Sequence, residues 1–260
     1  MRTHFLFLLF TNFKFNFKKK IDLFKELLIR HNITMVLQKS HSFDISKLSF
    51  NDVKTNQNGG KSIYISLDKS KFSLQTPVMA LPYDMSVYDK GDYPKYSIEL
   101  SFRDMEDNYR IAGFYERMEQ LDNLILDTAV KNSMKWFGKK KSNREIMEAL
   151  YTPIVKRSRD KETGEYDGKY PASIRVKLPF WDGKKSYEIL SFKDDTALDV
   201  EQEEVFSKGS KVQAIIKCGG IWVVNGKFGC TWSVEKVRVE SNPTVKNYSF
   251  VEDDSDSDSD

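Results

Sequence analysis

Histidine and cysteine are nearly missing from this 260-residue chain. The three histidines, His4, His31 and His41, all fall within the first 41 residues, and the only cysteines are Cys218 and Cys230. A zinc site needs about four nitrogen or sulfur ligands in close sequence pairs, so this distribution excludes one. Beyond position 41 a Ser-His or Cys-His nucleophile has no base. Two cysteines cannot frame a disulfide-stapled fold, and they read as free thiols packed as small core residues in a reducing compartment. The apolar run Phe5 to Phe10 falls far short of the roughly 18 to 20 residues that cross a bilayer, and no small-residue cleavage site follows it. Also absent are a glycine-rich phosphate loop ending in Lys-Ser/Thr, a strand followed by GxGxxG, and a nucleophile elbow. No cofactor, no metal and no membrane contact are expected. The one catalytic alternative left is a nuclease built on carboxylates.

What is present is a globular composition, with 40% hydrophobic and 13% aromatic residues, enough for a core. The charge is nearly balanced, 41 Lys plus Arg against 38 Asp plus Glu, a net +3. That balance hides an asymmetry. The last ten residues, VEDDSDSDSD, carry Glu252, Asp253, Asp254, Asp256, Asp258 and Asp260 and no base, so the rest of the chain holds 41 basic against 32 acidic residues, a net +9. A basic body with an acidic tail predicts a polyanionic partner.

Three regions follow. Residues 1–34 differ in texture from the rest, with Phe13, Phe15 and Phe17 alternating before Lys18-Lys19-Lys20; they read as an extension outside the fold, translated ahead of a start at Met35. Residues 35–247 form the folded body, and residues 248–260 a disordered acidic tail. In the body, Ile63, Ile65 and Leu67 alternate with polar neighbours, as do Tyr96, Ile98, Leu100 and Phe102, and Ile174, Val176 and Leu178; period 2 marks half-buried strands. From Tyr115 to Phe137 the period turns helical, through Met118, Leu121, Ile125, Leu126, Ala129 and Trp136 to a stop at Gly138. A shorter helix runs from Asn143 to Tyr151. Asp182-Gly183 predicts a hairpin turn from which Tyr187 to Phe192 returns. Lys211 to Cys218 reads as one strand, and after Gly219-Gly220 Ile221 to Val224 reads as the next. The fold class is mainly β with inserted α, an oligonucleotide-binding barrel, closed or partly closed, with one long and one short helix.

The chemistry concentrates in GGIWVVNGKFGCTW. A two-residue turn at Asn225-Gly226 sets Val224 opposite Lys227, Val223 opposite Phe228 and Trp222 opposite Gly229. Ile221, Val223, Phe228, Cys230, Trp232 and Val234 then form an apolar face. The other face carries Trp222 with Lys227, Thr231 and Ser233, and Gly229 leaves space beside the indole. A flat ring on a polar, basic face is what base stacking requires. Arg175, Lys177, Lys211 and Lys217 occupy outward strand positions and are expected to meet phosphates, with Tyr64 as a further ring. Two loop clusters, Lys139, Lys140 and Lys141 after the long helix, and Arg157 and Arg159 before a polar loop, are expected at the margins of the groove.

Several segments together resemble one family. They are QTPVMALPYD (Gln75 to Asp84), YSIELSF (Tyr96 to Phe102), KWFGKKKS (Lys135 to Ser142), EALYTPIVK (Glu148 to Lys156), KYPASIRVKLP (Lys169 to Pro179) and, most specifically, GIWxVNGKFGxTW within Lys211 to Val239. They are similar to the single-stranded DNA-binding proteins of nucleocytoplasmic large DNA viruses, which in turn look like distant relatives of the T7-type phage protein. The resemblance implies an oligonucleotide-binding barrel without catalysis that binds strands in viral DNA replication, recombination or repair. It also implies a tail that regulates DNA access and meets a viral DNA polymerase or helicase. The expected location is the host cytoplasm, at the viral factory, or the host nucleus, and a homodimer is an open expectation. The phage proteins end on an aromatic residue after their acids, whereas here Tyr248 and Phe250 precede the acidic run and Asp260 is last. Two readings from other classes stand beside this one: a protein-interaction scaffold of a virion or of transcription, and an RNA-binding protein.

Overall fold

Alternating apolar residues set most of the strands. The computed structural model describes residues 35–91, 93–140, 143–181 and 183–240; the extension over residues 1–34, Lys141, Asp182 and the acidic tail lie outside them. In chain order the strands are β1 (Val36–Lys39), β2 (Leu48–Phe50), β3 (Lys54–Thr55), β4 (Lys61–Ile63), β5 (Ile65–Leu67), β6 (Phe72–Gln75), β7 (Met79–Ala80), β8 (Ser86–Tyr88), β9 (Lys95–Ser101), β10 (Tyr151–Thr152), β11 (Val155–Lys156), β12 (Ser173–Leu178), β13 (Phe180–Trp181), β14 (Lys184–Lys185), β15 (Glu188–Ser191), β16 (Lys211–Val224) and β17 (Lys227–Val239). The helices are α1 (Tyr109–Lys131), α2 (Ser133–Phe137), α3 (Arg144–Leu150) and α4 (Gln202–Val205).

The fold is mainly β. One mixed sheet runs in the order β1-β6-β16-β17-β12-β9-β8, with β4 and β7 also pairing β16, and β10 and β15 also pairing β17. Of the closed or partly closed barrel expected, the closed form is not found. Among the described residues β1 pairs with β6 and β8 with β9, so the path does not return on itself. The predicted return of Tyr187 to Phe192 beside β12 is also corrected. Gly183, at φ 72°, turns the chain between β13 and β14, two strands of two residues each, while β15 crosses to lie parallel to β17. Gly219-Gly220 does not end a strand either. β16 runs unbroken through it, with register shifts between Ile215 and Ile216 and between Cys218 and Gly220. Gly220 sits at φ 86°, and a Cβ there would lie 2.6 Å from the Ile63 carbonyl oxygen. Only glycine combines that backbone with that approach.

The long helix begins earlier than the stripe from Tyr115 suggested. Asn108 caps it, its side-chain oxygen accepting from the Arg110 and Ile111 amides, and Ile111 and Phe114 join Met118, Leu121, Ile125, Leu126 and Ala129 on the buried face. The helix breaks at Asn132, and α2 carries on to Gly138 at φ 70°. Asn143 caps α3 by accepting from the Glu145 amide. The buried faces of α1, β9, β12, β16 and β17 share one core with Phe43, Phe72, Phe228 and Trp232, each such side chain contributing roughly 1.5–3 kcal/mol. Cys218 and Cys230 lie half-buried against this core as free thiols, their sulfurs 3.9 Å apart.

Candidate nucleic-acid interface

The β16–β17 hairpin has the register that its turn dictates. Asn225 and Gly226 take φ values of 52° and 78°, and Val224 pairs with Lys227, Val223 with Phe228 and Trp222 with Gly229. Partners in register share a face of the sheet, so Trp222 lies in a transverse row that reads Lys54, Ser62, Trp222, Gly229, Thr152 across five strands. Small residues flank the half-buried indole on both sides. A Cβ on Gly229 would come within 2.9 Å of the indole Cζ2 and 3.0 Å of the Thr152 carbonyl oxygen. The space expected to stay open at Gly229 is therefore where the ring itself rests. Tyr64, 42% exposed, follows Ser62 on the same face, and the Lys54 ammonium stands 5.3 Å from its ring centroid. Trp222, Tyr64, Lys54 and Lys227 thus share one end of the face.

Further along β17 the same face carries Thr231 and then Ser233. Here a second row crosses the sheet: Leu37, Ser73, Lys217, Ser233, Lys177, Ser97, Ser86. Ser73 is buried under its neighbours, its hydroxyl donating to Glu235 at 2.6 Å, and Lys217 pairs with the same carboxylate at 3.5 Å. Arg175, one position further along the face of β12, pairs with Glu99 at 2.9 Å, as does Lys156 at 2.8 Å. Burial pushes the Glu99 carboxyl up, but hydrogen bonds from Lys156, Ser173 and Arg175 outweigh it and hold its pKa below the ordinary value. Lys177 differs. Among the described residues it has no carboxylate partner, and loss of hydration together with the charge of Lys95 lowers its pKa. Lys177 is exposed, and an ammonium held near a second lysine is stabilised by any anion that settles between them.

The expected contact residues divide accordingly. Trp222, Tyr64, Lys227, Lys217, Lys177 and Arg175 come together on one face. Lys211 is exposed at the far end of β16, eleven positions from Trp222, roughly 36 Å at the rise of a strand. Lys139 and Lys140 are exposed after α2, and Lys141 is outside the described residues. Arg157 turns toward the helices instead, and Arg159 folds back on its own loop, donating to the Gly164 carbonyl and the Tyr166 hydroxyl. Arg157 pairs with Glu119 of α1, and Arg159 lies over the Tyr166 ring at 4.1 Å. Both line a cavity of about 610 Å³ with Asp122 and Arg144.

Sequence reading missed Lys54, Lys95 and two rings. Tyr88 is exposed with Lys95 5.8 Å from its centroid, and Trp181 is 80% exposed. The outward alternation of Lys95, Ser97 and Glu99 was the available signal for Lys95; Lys54 sits in a two-residue strand with no periodicity to read.

Beneath Trp222, β10 is held by a buried carboxylate. Asp122 of α1 accepts from the Tyr151 hydroxyl at 2.5 Å, the Ile154 amide at 2.9 Å and the Val155 amide at 3.1 Å. Burial raises its pKa to about 6 against these three hydrogen bonds. Tyr151 in turn packs on Phe228, ring centroids 4.9 Å apart.

The model of a family of unknown function, DUF5871, matches residues 103–252. The chain belongs to this family. The matched span runs from the residues before α1 past the end of β17, so the DUF5871 region contains the whole Trp222 hairpin, Lys177 and Asp122, and leaves out β1 to β9. No curated protein matches the chain. Among solved structures it is similar to the single-stranded DNA-binding protein from bacteriophage Enc34 in complex with single-stranded DNA, at 11% identity and a TM-score of 0.38, over 74% of this chain and 92% of that one. It is similar to gp2.5, a single-stranded DNA-binding protein encoded by bacteriophage T7, at 11% identity and a TM-score of 0.38, over 69% and 98%. Likeness at this level does not establish a shared fold, and the interface rests on the residues above. Among the described residues no group of three or more His, Cys, Asp or Glu could hold a metal ion, and no helix is long and apolar enough to cross a membrane.

Proposed function

We propose that the protein binds single-stranded DNA without catalysis, on the sheet face that carries Trp222, Tyr64, Lys217 and Lys177. The observation that carries this reading is the row Lys54, Ser62, Trp222, Gly229, Thr152, in which a half-buried indole rests against Gly229 between small residues, with Lys54 at the end of the row and Lys227 in the next one. A base stacks on such a ring for roughly 1 to 3 kcal/mol, whatever its identity. The row from Lys217 to Lys177 supplies the phosphate contacts, with hydroxyls between the ammonium groups. Binding of this kind reads little sequence.

The wider setting belongs to the same proposal. An open, oligonucleotide-binding type of sheet, a role in viral DNA replication, recombination or repair, and contact with a polymerase or helicase through the acidic tail follow from the family resemblance. The tail competes with DNA for the basic face. Titration of the full chain with single-stranded DNA, matched RNA and duplex at two salt concentrations tests the reading. Tighter binding of single-stranded DNA than of duplex, with a steep salt slope, is expected. Equal affinity for RNA makes the protein a general single-strand binder, and no binding to any strand overturns the proposal in favour of a protein scaffold.

A further inference from the structure

Across β6 from the Ser73–Lys217 row, the outer face of the sheet ends in a cavity of about 330 Å³. Its walls include Lys39, His41, Gln75, Arg110 and Gln213. Lys39 is the register partner of Gln75, and Gln75 of Ile215, so Lys39 stands on the same face as Lys217, one row further along. His41 follows in the turn after β1, and Arg110 reaches in from the first turn of α1. The chain is brought this close by Gly113, where a Cβ would lie 3.0 Å from the His41 carbonyl oxygen. Tyr109 fixes two of the three basic groups: its ring meets His41 edge-on at 6.1 Å, and its hydroxyl accepts from the Arg110 Nε at 3.1 Å.

The charge in this cavity is of one sign. No Asp or Glu lines it, and the described ion pairs include none made by Lys39, His41 or Arg110. Four other basic residues of the face behave otherwise, since Lys217, Arg175, Lys236 and Arg238 each meet a carboxylate. Burial, Arg110 and Lys39 all lower the His41 pKa. The amide groups at the start of α1 are already taken by Asn108, so the attraction comes from side chains and not from the helix end.

We propose that Lys39, His41 and Arg110 form a phosphate-binding site that receives a backbone phosphodiester of the strand lying on this face. The proposal rests on the DNA-binding reading for its ligand, and it extends the path of the strand past β16 and β6 to β1. Two lysine or arginine donors, with the imidazole and the Gln75 amide beside them, match the oxygens of one phosphate group; Gln213 is already engaged, donating to the Thr76 carbonyl and accepting from Arg238. Binding an anion favours the imidazolium form, so occupation raises the pKa of His41.

The test uses the full chain and two readouts. The chain has three histidines, and the resonances of His41 are assigned by their loss in His41→Gln. Inorganic phosphate, against chloride at matched ionic strength, is expected to move the His41 titration to higher pH in the wild type and to leave it in place in a Lys39→Gln/Arg110→Gln double variant. A His41 titration indifferent to phosphate overturns the site, whether or not the protein binds DNA. In the second readout the same double variant should bind long oligo-dT with a salt slope shallower by about 1.4, two contacts at about 0.7 each on a single strand. An unchanged slope overturns the extended path. Should phosphate move His41 while oligo-dT fails to bind the wild type at all, the strand reading falls and the phosphate site alone remains.

Discussion

Lys177 and Lys217 stand two strands apart in one row, and only one of them is neutralised. Lys217 meets Glu235, whereas Lys177 is exposed and lies near the charge of Lys95, with no carboxylate partner among the described residues. The free ammonium is the better phosphate ligand, because no internal ion pair must break before DNA binds. Replacing Lys177 by Gln is expected to make the salt slope of oligo-dT binding shallower by about 0.7; a slope equal to that of the wild type removes Lys177 from the interface.

Asp122 acts at the same scale but through stability. Its folded pKa, about 6, lies above the ordinary carboxylate value of 3.8, so the folded state holds its proton more tightly than the unfolded chain does. The contribution of this group is therefore fully present below about pH 4 and is lost as pH rises through 6, a change of about 3 kcal/mol. Other carboxylates, Glu99 among them, have lowered pKa values and act in the opposite direction, so the difference between two proteins isolates the effect. From pH 4 to 7 the unfolding free energy of the wild type, measured by denaturant, should fall by about 2 kcal/mol, most of that amount, relative to Asp122→Asn. Parallel pH profiles would show that the carboxylate is already ionised throughout.

At the scale of elements, the hairpin was the most legible part of the fold, and it carries the site. Asn225-Gly226 requires positive φ, period 2 sorts the neighbours, and every pairing from Val224 to Trp222 follows by counting outward from the turn. What counting from turns does not give is the pairing of strands distant in sequence. The parallel placement of β15 on β17, and of β12 beside β17, leaves no local spacing to read, so the predicted return of Tyr187 to Phe192 beside β12 went to the wrong neighbour. The same limit hid Lys54 and the trio of Lys39, His41 and Arg110, whose members come together only through such pairings. Gly219-Gly220 was misread for a different reason. A glycine pair resembles a break, yet here it carries β16 through a bulge with the Ile63 backbone against it. Gly220→Ala places a methyl where φ is 86° and the carbonyl oxygen is 2.6 Å away, and a loss of more than about 1 kcal/mol is expected by thermal or denaturant unfolding. A neutral substitution would show that β16 does not need this approach.

On the whole molecule, the net charge of +3 combines a body of +9 with a tail of six acids. If the tail competes for the face that carries Lys177 and Lys217, removing residues 251–260 should tighten oligo-dT binding, and most at low salt, where screening is weak. Equal affinity with and without these residues leaves the tail no part in regulating DNA access. The most direct measurement, however, concerns the ring at the centre of the face. Binding of oligo-dT by the wild type and by Trp222→Ala, each at low and at high salt, separates stacking from charge. The expected result is a loss of about 5- to 150-fold, equivalent to roughly 1 to 3 kcal/mol, with an unchanged salt slope, because the indole carries no charge. Equal affinity for the two proteins would contradict the assignment of this face to single-stranded DNA.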